Sequence, residues 1–259
     1  MQLHKACRNS KYCGIVQRTF VPDNLVLWSI PWPYYSPVEF TDERILSKVN
    51  KPYWADDESV THIKFNCIDN GLNRRSYDGI YSMDTVTGRP INPKGRTGIS
   101  GRGLLGHWGP NHAADSLVYH MLPNSRIKFI AITRKDTKSY ALPGGMIDKG
   151  ETPKHAAVRE LMEEAFASSK LTVAEMGRYI DFENYFVPFE GYVDDHRNTD
   201  NAWMETVVHC FKANDNIDSL SLCGGDDAES ARWLDLSDSH ILFDGHQIFL
   251  ELLRKHINT

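Results

Sequence analysis

The chain has 259 residues, 41% hydrophobic and 24% charged, which is enough to bury a full core. Its formal net charge of -5 argues against nucleic acid as the main partner. No stretch approaches the ~20 apolar residues of a membrane span, so no direct membrane contact is expected. The N-terminus, MQLHKACRNSKYCGIVQRTF, lacks both the apolar core of a signal peptide and the amphipathic pattern of a transit peptide. Cys7, Cys13, Cys67, Cys210 and Cys223 are scattered without a CxxC. That usage predicts reduced thiols and an intracellular, cytoplasmic setting.

In chain order, residues 1–115 are rich in aromatics, Pro and Gly, as in LWSIPWPYYSPVEF (27–40). They read as irregular structure with short strands at His62–Asn66 and Gly79–Met83, needing a partner surface to bury Trp and Tyr. NPKGRTGISGRG (92–103) combines glycines with Lys94, Arg96 and Arg102, and reads either as a phosphate cradle or as a flexible loop. From residue 116 the texture changes. Strands are expected at Arg126–Arg134 and Ser139–Pro143, then a helix over about 153–168. Further strands follow at Phe186–Val193, Glu205–Ala213 and Ala231–Leu236. His246–Ile257 closes the chain as an amphipathic helix. Trp108 and Trp203 read as core residues. Strands with helices before and after suggest an α/β/α sandwich. The division is 1–115, an irregular α+β N-terminal cap region, and 116–259, the α/β domain.

The richest segment is GMIDKGETPKHAAVRELMEE (145–164). Gly145, Glu151, Arg159, Glu160, Glu163 and Glu164 fall in the pattern G-x5-E-x7-R-E-x-x-E-E. On a helix starting near Thr152 or Pro153, Glu160 lies beside both Glu163 and Glu164. Three carboxylates on one face repel each other, and a hard divalent cation offsets that repulsion. Leu142-Pro143-Gly144-Gly145 can expose carbonyls and approach a ligand closely. Arg159 reads as a clamp that orients carboxylates, with Glu163 at i+4 and Glu151 within reach. GYVDDHRNTDNAWMET (191–206) is dense in groups that bind phosphate, ribose hydroxyls or metal-bound water. In GGDDAES (224–230), Asp226, Asp227 and Glu229 could hold a second metal or supply a general base.

Residues 145–164 resemble the signature of the Nudix hydrolase superfamily, with Phe166 where a glycine is usual. GRTGISGRGLLGHWGPNHAAD (95–115), YSPVEFTDE (35–43) and 191–206 resemble its ADP-ribose pyrophosphatase branch. That branch includes the mitochondrial enzyme and the homologous C-terminal domain of the melastatin-type ADP-ribose-gated cation channel. The resemblance runs from about Tyr12 to His256. It implies a Nudix α/β/α sandwich with a mixed sheet, and metal-dependent hydrolysis of ADP-ribose to AMP and ribose 5-phosphate. Catalytic residues would be Glu160, Glu163, Glu164 and Arg159. Glu160, Glu163, Glu164 and the Gly144 carbonyl would hold Mg2+, with Mn2+ as a substitute. The general base stays open among Glu160, Asp226 and Asp227. Substrate contacts would come from Asn92, Arg96, His112, Gly144, Asp195, Arg197 and His246. His196 stands in place of a usual Pro, and Phe243 in place of a common Tyr.

The alternative implied by the same resemblance is an ADP-ribose-binding sensor domain with incidental hydrolysis. It would be part of a tetrameric channel, on the cytosolic side. A free enzyme would be cytoplasmic or mitochondrial. A third reading is a Nudix enzyme for another diphosphate.

Overall fold

The structure is a computed structural model; it describes residues 4–8, 11–47, 52–123, 125–238, 242 and 245–257. Phe243 lies outside the described residues. The chain divides into two compact units. Unit 1 is Met1–His112 with Gly191–Glu205, and unit 2 is Ala113–Glu190 with Thr206–Thr259. The single cut expected at 115 is therefore replaced by two segments in each unit.

The main sheet comprises β1 (Gly109–Met121), β2 (Ile127–Arg134), β3 (Tyr140–Ala141), β4 (Gly144–Met146), β5 (Ile180–Tyr192), β6 (Ala202–Ala213) and β7 (Ala228–Asp235). The order is β5-β6-β1-β2-β7, with β4 paired to β1 and β3 to β2. The pairings β1–β2, β1–β4, β2–β3 and β2–β7 are antiparallel. Parallel bridges join Tyr140 to Leu242 and Phe166 to Cys223. β5 runs longer than expected. It is an edge strand with alternating burial, which is why it tolerates Pro188. β6 and β1 are buried almost end to end, as central strands are.

Helix α1 (Pro153–Ala165) starts where Thr152 Oγ1 accepts the His155 N–H at 3.2 Å, with Pro153 in the first turn. Its small residues Ala156, Ala157 and Ala165, with Leu161, pack on Ala114, Val118, Ile130, Phe182 and Phe211. Ser116 Oγ donates to the Ala157 carbonyl at 2.6 Å, tying β1 to the helix. The helix stops at Ala165, short of 168, because Cys223 N–H takes the Ala165 carbonyl at 2.9 Å. Phe166 is buried in this same core. A short capped helix, α2 (Val173–Met176), follows. Helix α3 (His246–Ile257) sets Phe249 against Phe189 of β5, ring centroids 5.0 Å apart. By strand alternation Phe189 faces away from Phe182, so α1 and α3 lie on opposite faces of the sheet. The α/β/α class is the one observed.

Unit 1 is held by short pieces. Val38–Thr41 pairs in parallel with Ile99–Gly103, and Ile68–Asp69 pairs with Leu72–Asn73. The strands expected at His62–Asn66 and Gly79–Met83 do not form. Those residues make turns, with left-handed Asn66 and Gly79 and isolated bridges at Gly79 and Met83. Nor do the aromatics of 27–40 all await a partner surface. Trp28, Trp32 and Tyr35 wrap the Arg96 guanidinium within unit 1. Trp108 and Trp203 are buried.

Candidate functional site

β4 lies beside residues 113–115 of β1, which sets the glycine turn against the acidic face of α1. The fit is close. A Cβ on Gly145 would sit 2.2 Å from Oε1 of Glu160, and one on Gly144 would sit 2.3 Å from Oδ1 of Asp115. Only glycine allows this approach.

Arg159 organises the carboxylates. Its Nε and Nη2 donate to Glu151 at 3.0 Å each, and Nη2 also donates to the Met146 carbonyl at 3.0 Å. Nη1 reaches Glu160 at 2.6 Å and Glu163 at 3.2 Å. Glu160, Glu163 and Asp226 each offer an oxygen, and these atoms lie within 4.8 Å of one another. Burial raises the Glu160 carboxyl above its ordinary range; the Glu163 and Asp226 charges add to this, and Arg159 opposes it. Glu164 stands outside that trio. Its Oε2 accepts the Gly144 N–H at 2.9 Å, and burial pushes its carboxyl up to about 8.

Asp226 arrives from the loop before β7, with a left-handed φ of 44°. Gly225 presses on the end of α1, where a Cβ would meet the Glu163 carbonyl at 2.5 Å. This contact delivers Asp226 to the two glutamates. The trio fits a divalent metal on its own terms: an all-oxygen donor set, with crowded like charges that a hard cation would relieve. His246 opens α3, and its Nδ1 accepts the Leu142 N–H at 3.1 Å. Its Nε2 lies 3.9 Å from Asp115 Oδ1, while Asp115 Oδ2 accepts from Thr206 Oγ1 at 2.5 Å.

The other candidates lie in unit 1. Asn92 is fully buried; its side chain donates to the Thr199 carbonyl at 3.0 Å and accepts the Lys94 N–H at 2.9 Å. Arg96 does not present its fork to a ligand. Nη1 binds the carbonyls of Leu25 and Leu27 at 2.8 and 2.7 Å, and Nη2 binds that of Ile30 at 3.1 Å. The glycine loop is neither a cradle nor flexible. The N–H groups of Gly95, Arg96, Thr97 and Gly98 go to Asn92, Val26, Asp200 and Tyr35. His112 is buried with Nε2 3.6 Å from the buried Glu205 carboxylate, and its ring meets Tyr77 edge-on. Arg197 folds back on Asp195, with Nε to Oδ1 at 2.8 Å and Nη2 to Oδ2 at 2.6 Å. Burial alone would raise the Asp195 carboxyl, but the charge and bonds of Arg197 outweigh it and hold the group down at about 2.

Residues 116–254 match the family model of the NUDIX domain. The chain belongs to the Nudix family. Residues 21–109 match a second model, the NUDT9-like, N-terminal domain. The Nudix chain is 43% identical, over 98% of its length, to a Caenorhabditis elegans protein that carries the name nudix hydrolase 6, and the match covers 97% of that protein. It is 39% identical to the mitochondrial ADP-ribose pyrophosphatase of Rattus norvegicus, over 96% of this chain and 77% of the relative. It is also 39% identical to transient receptor potential cation channel subfamily M member-like 2 of Nematostella vectensis, over 98% of this chain and 18% of the channel. No helix among the described residues is long and apolar enough to cross a membrane.

Within this Nudix unit, sequence pattern alone groups Glu160 with Glu163 and Glu164. The third member of the trio, Asp226, is separated from them by about 60 residues. Its signal in the sequence is the acidic GGDDAES loop, whose composition points to a second metal site or a base.

Proposed function

We propose that the chain hydrolyses ADP-ribose to AMP and ribose 5-phosphate with Mg2+, Mn2+ serving as a substitute. One observation carries this reading. Arg159 holds Glu160 and Glu163, which gather with Asp226 into an all-oxygen trio, in a chain similar over 96% of its length to a mitochondrial ADP-ribose pyrophosphatase.

Glu160, Glu163 and Asp226 would hold the metal, with Glu164 and the Gly144 carbonyl as further ligands. When bound, the metal supplies positive charge that neutralises the diphosphate oxygens. Arg159 keeps Glu160 and Glu163 at fixed positions, so little reorganisation is needed on binding. A water oxygen forms the new bond to phosphorus, the P–O–P bridge breaks, and the water proton goes to a carboxylate. Glu160, Asp226 and Asp227 are the groups available to take it. The contacts to ADP-ribose proposed in unit 1 are Asn92, His112 and Arg197 on the buried Asp195, and the one proposed in unit 2 is His246. Arg96 holds its own loop instead. Five free cysteines support a reducing compartment, the cytoplasm or the mitochondrion.

The sensor reading predicts binding with hydrolysis only incidental. The intact Arg159–carboxylate set favours turnover. Incubating the protein with ADP-ribose, NADH and diadenosine compounds tests both points by chromatography. The expected result is AMP and ribose 5-phosphate from ADP-ribose alone. Tight binding of ADP-ribose with only slow release of products would favour the sensor reading, and equal cleavage of NADH would reject the substrate.

A further inference from the structure

Residues 4–18 precede the matched N-terminal model, which begins at residue 21. Many of their polar bonds end on one loop, 192–198, although Arg8 binds His4, Val21 and Asp23 instead. The consecutive N–H groups of Lys5, Ala6 and Cys7 converge on the Asp194 carboxylate at 2.5, 2.9 and 3.2 Å. His4 Nδ1 lies 2.8 Å from the hydroxyl of Tyr192. Arg18 Nη2 donates to the carbonyls of His196 at 2.7 Å and Asn198 at 3.1 Å. Tyr12 is fully buried, and its hydroxyl donates to the Arg197 carbonyl at 2.8 Å while accepting the Leu104 N–H at 2.7 Å. All these residues belong to unit 1.

We infer that this N-terminal segment is a harness that positions the Asp195–Arg197 pair for substrate, with Tyr12 and Arg18 as its positioning residues. The inference rests on the reading above that Arg197 contacts ADP-ribose. The physical argument is one of fixed donors. Asn198 ties the loop to Tyr192, Val193 and Met204, and Asp195 and Arg197 bind each other. The backbone that carries the pair is held in addition by its carbonyls. Three carbonyls in a row, 196 to 198, are bound from outside the loop by a buried tyrosine and a buried arginine. Tyr12 cannot shift to follow a displaced loop. Gly103 abuts its hydroxyl so closely that a Cβ there would lie 1.9 Å away, and the Arg18 guanidinium lies over its ring at 4.9 Å. A bond from a fixed donor to a loop carbonyl holds the loop to within a few tenths of an ångström. Neither Tyr12 nor Arg18 belongs to the metal trio.

The test uses the full-length protein and steady-state kinetics with ADP-ribose. Tyr12→Phe keeps the ring and removes both hydroxyl bonds. It should raise KM roughly tenfold with kcat changed less than about twofold. Arg18→Lys, which loses the shared guanidinium bonds, should do the same. Asp194→Asn, which weakens the grip of residues 5–7, provides a third variant if either of these folds poorly. The control is Thr19→Val, which loses only a bond to Ser36 and should leave KM unchanged. In an Arg197→Ala background, Tyr12→Phe should add no further rise in KM. If Arg197→Ala raises KM but neither Tyr12→Phe nor Arg18→Lys does, the harness is rejected and the substrate reading stands. If Arg197→Ala itself leaves KM unchanged, the assignment of Arg197 falls first. Additive effects of Tyr12→Phe and Arg197→Ala would also overturn the inference, because they would show that Tyr12 acts elsewhere.

Discussion

Gly145 and Glu160 meet so closely that a single methyl group on the glycine would lie 2.2 Å from the carboxylate oxygen. Backbone and carboxylate therefore fix each other's positions. Gly145→Ala must displace Glu160, because β4 is pinned to β1 by its register with residues 113–115. Turnover of ADP-ribose should fall roughly 100-fold, as a shift of about 1 Å in a positioned group does. The global fold should persist, with an unchanged far-ultraviolet circular dichroism spectrum. Activity within twofold of the parent would show that the place of Glu160 does not control the reaction.

Removing negative oxygens should separate turnover from binding. Glu163→Gln with Glu164→Gln takes two carboxyl groups from the acidic face of α1. Hydrolysis should drop at least ~100-fold, while ADP-ribose binding measured by calorimetry falls much less. Asp226→Asn gives a sharper test of the trio. It should raise the Mg2+ concentration for half-maximal activity roughly tenfold or more. A metal titration identical to the parent's would remove Asp226 from the metal site.

How far the sequence foretells this site depends on how local each contact is. Arg159, Glu160 and Glu163 are legible because the helix puts them one turn apart, and the Thr152–Pro153 start is a local signal. Asp226 is not, because its approach depends on Gly225 abutting Glu163 and Ala167 across about 60 residues. β1 escapes a hydrophobic-pattern reading for another reason. GPNHAADS is polar or small, yet buried, because its polar groups find partners inside: Asn111 with His107, Ser116 with Ala157, Asp115 with Thr206. Arg96 shows the opposite error. A basic residue in a glycine loop reads as a phosphate ligand, but its bonds to three carbonyls and its aromatic surround are tertiary facts.

Acid should weaken the protein through His4. Burial lowers this imidazole from 6.5 to about 4, against the opposing charge of Asp194. The native state therefore resists protonation, while the unfolded chain accepts a proton below about 6.5. Stability is full above that pH and is lost as pH falls towards 4, since the unfolded state binds the extra proton. At pH 4.5 the loss should approach about 2–3 kcal/mol. Urea unfolding of the parent and of His4→Gln at pH 7 and 4.5 isolates the contribution. The parent should lose more than the variant by about that amount. Asp200, whose carboxyl burial pushes up to about 6, acts in the opposite direction but is present in both proteins and cancels. Parallel pH dependences in the two proteins would refute the assignment to His4.

A chain beginning at Ala114 should not behave as an independent enzyme. It would retain residues 191–205 but lose the partners of that segment in unit 1. Asp200 would lose the Thr97 N–H at 2.6 Å, the Thr97 hydroxyl at 2.8 Å and the Tyr35 hydroxyl at 2.5 Å. Asn201 would lose the Gly101 N–H at 2.9 Å and the Pro90 carbonyl at 2.9 Å. Thr199 would lose the Gly101 carbonyl at 2.6 Å. Each group is buried in the intact chain; without residues 1–113 it meets water instead, and each lost bond forfeits a net of about 0.5–1.5 kcal/mol. Summed over these bonds the loss is a large part of the net stability of about 5–15 kcal/mol of a typical domain, so the segment would disorder. Asn92 and His112 would be absent as well. Size-exclusion chromatography should show aggregation, and calorimetry should show ADP-ribose binding weakened by at least ~100-fold. A truncated protein that stays monomeric and hydrolyses ADP-ribose at the parent rate would place the entire substrate site within residues 114–259 and make unit 1 dispensable.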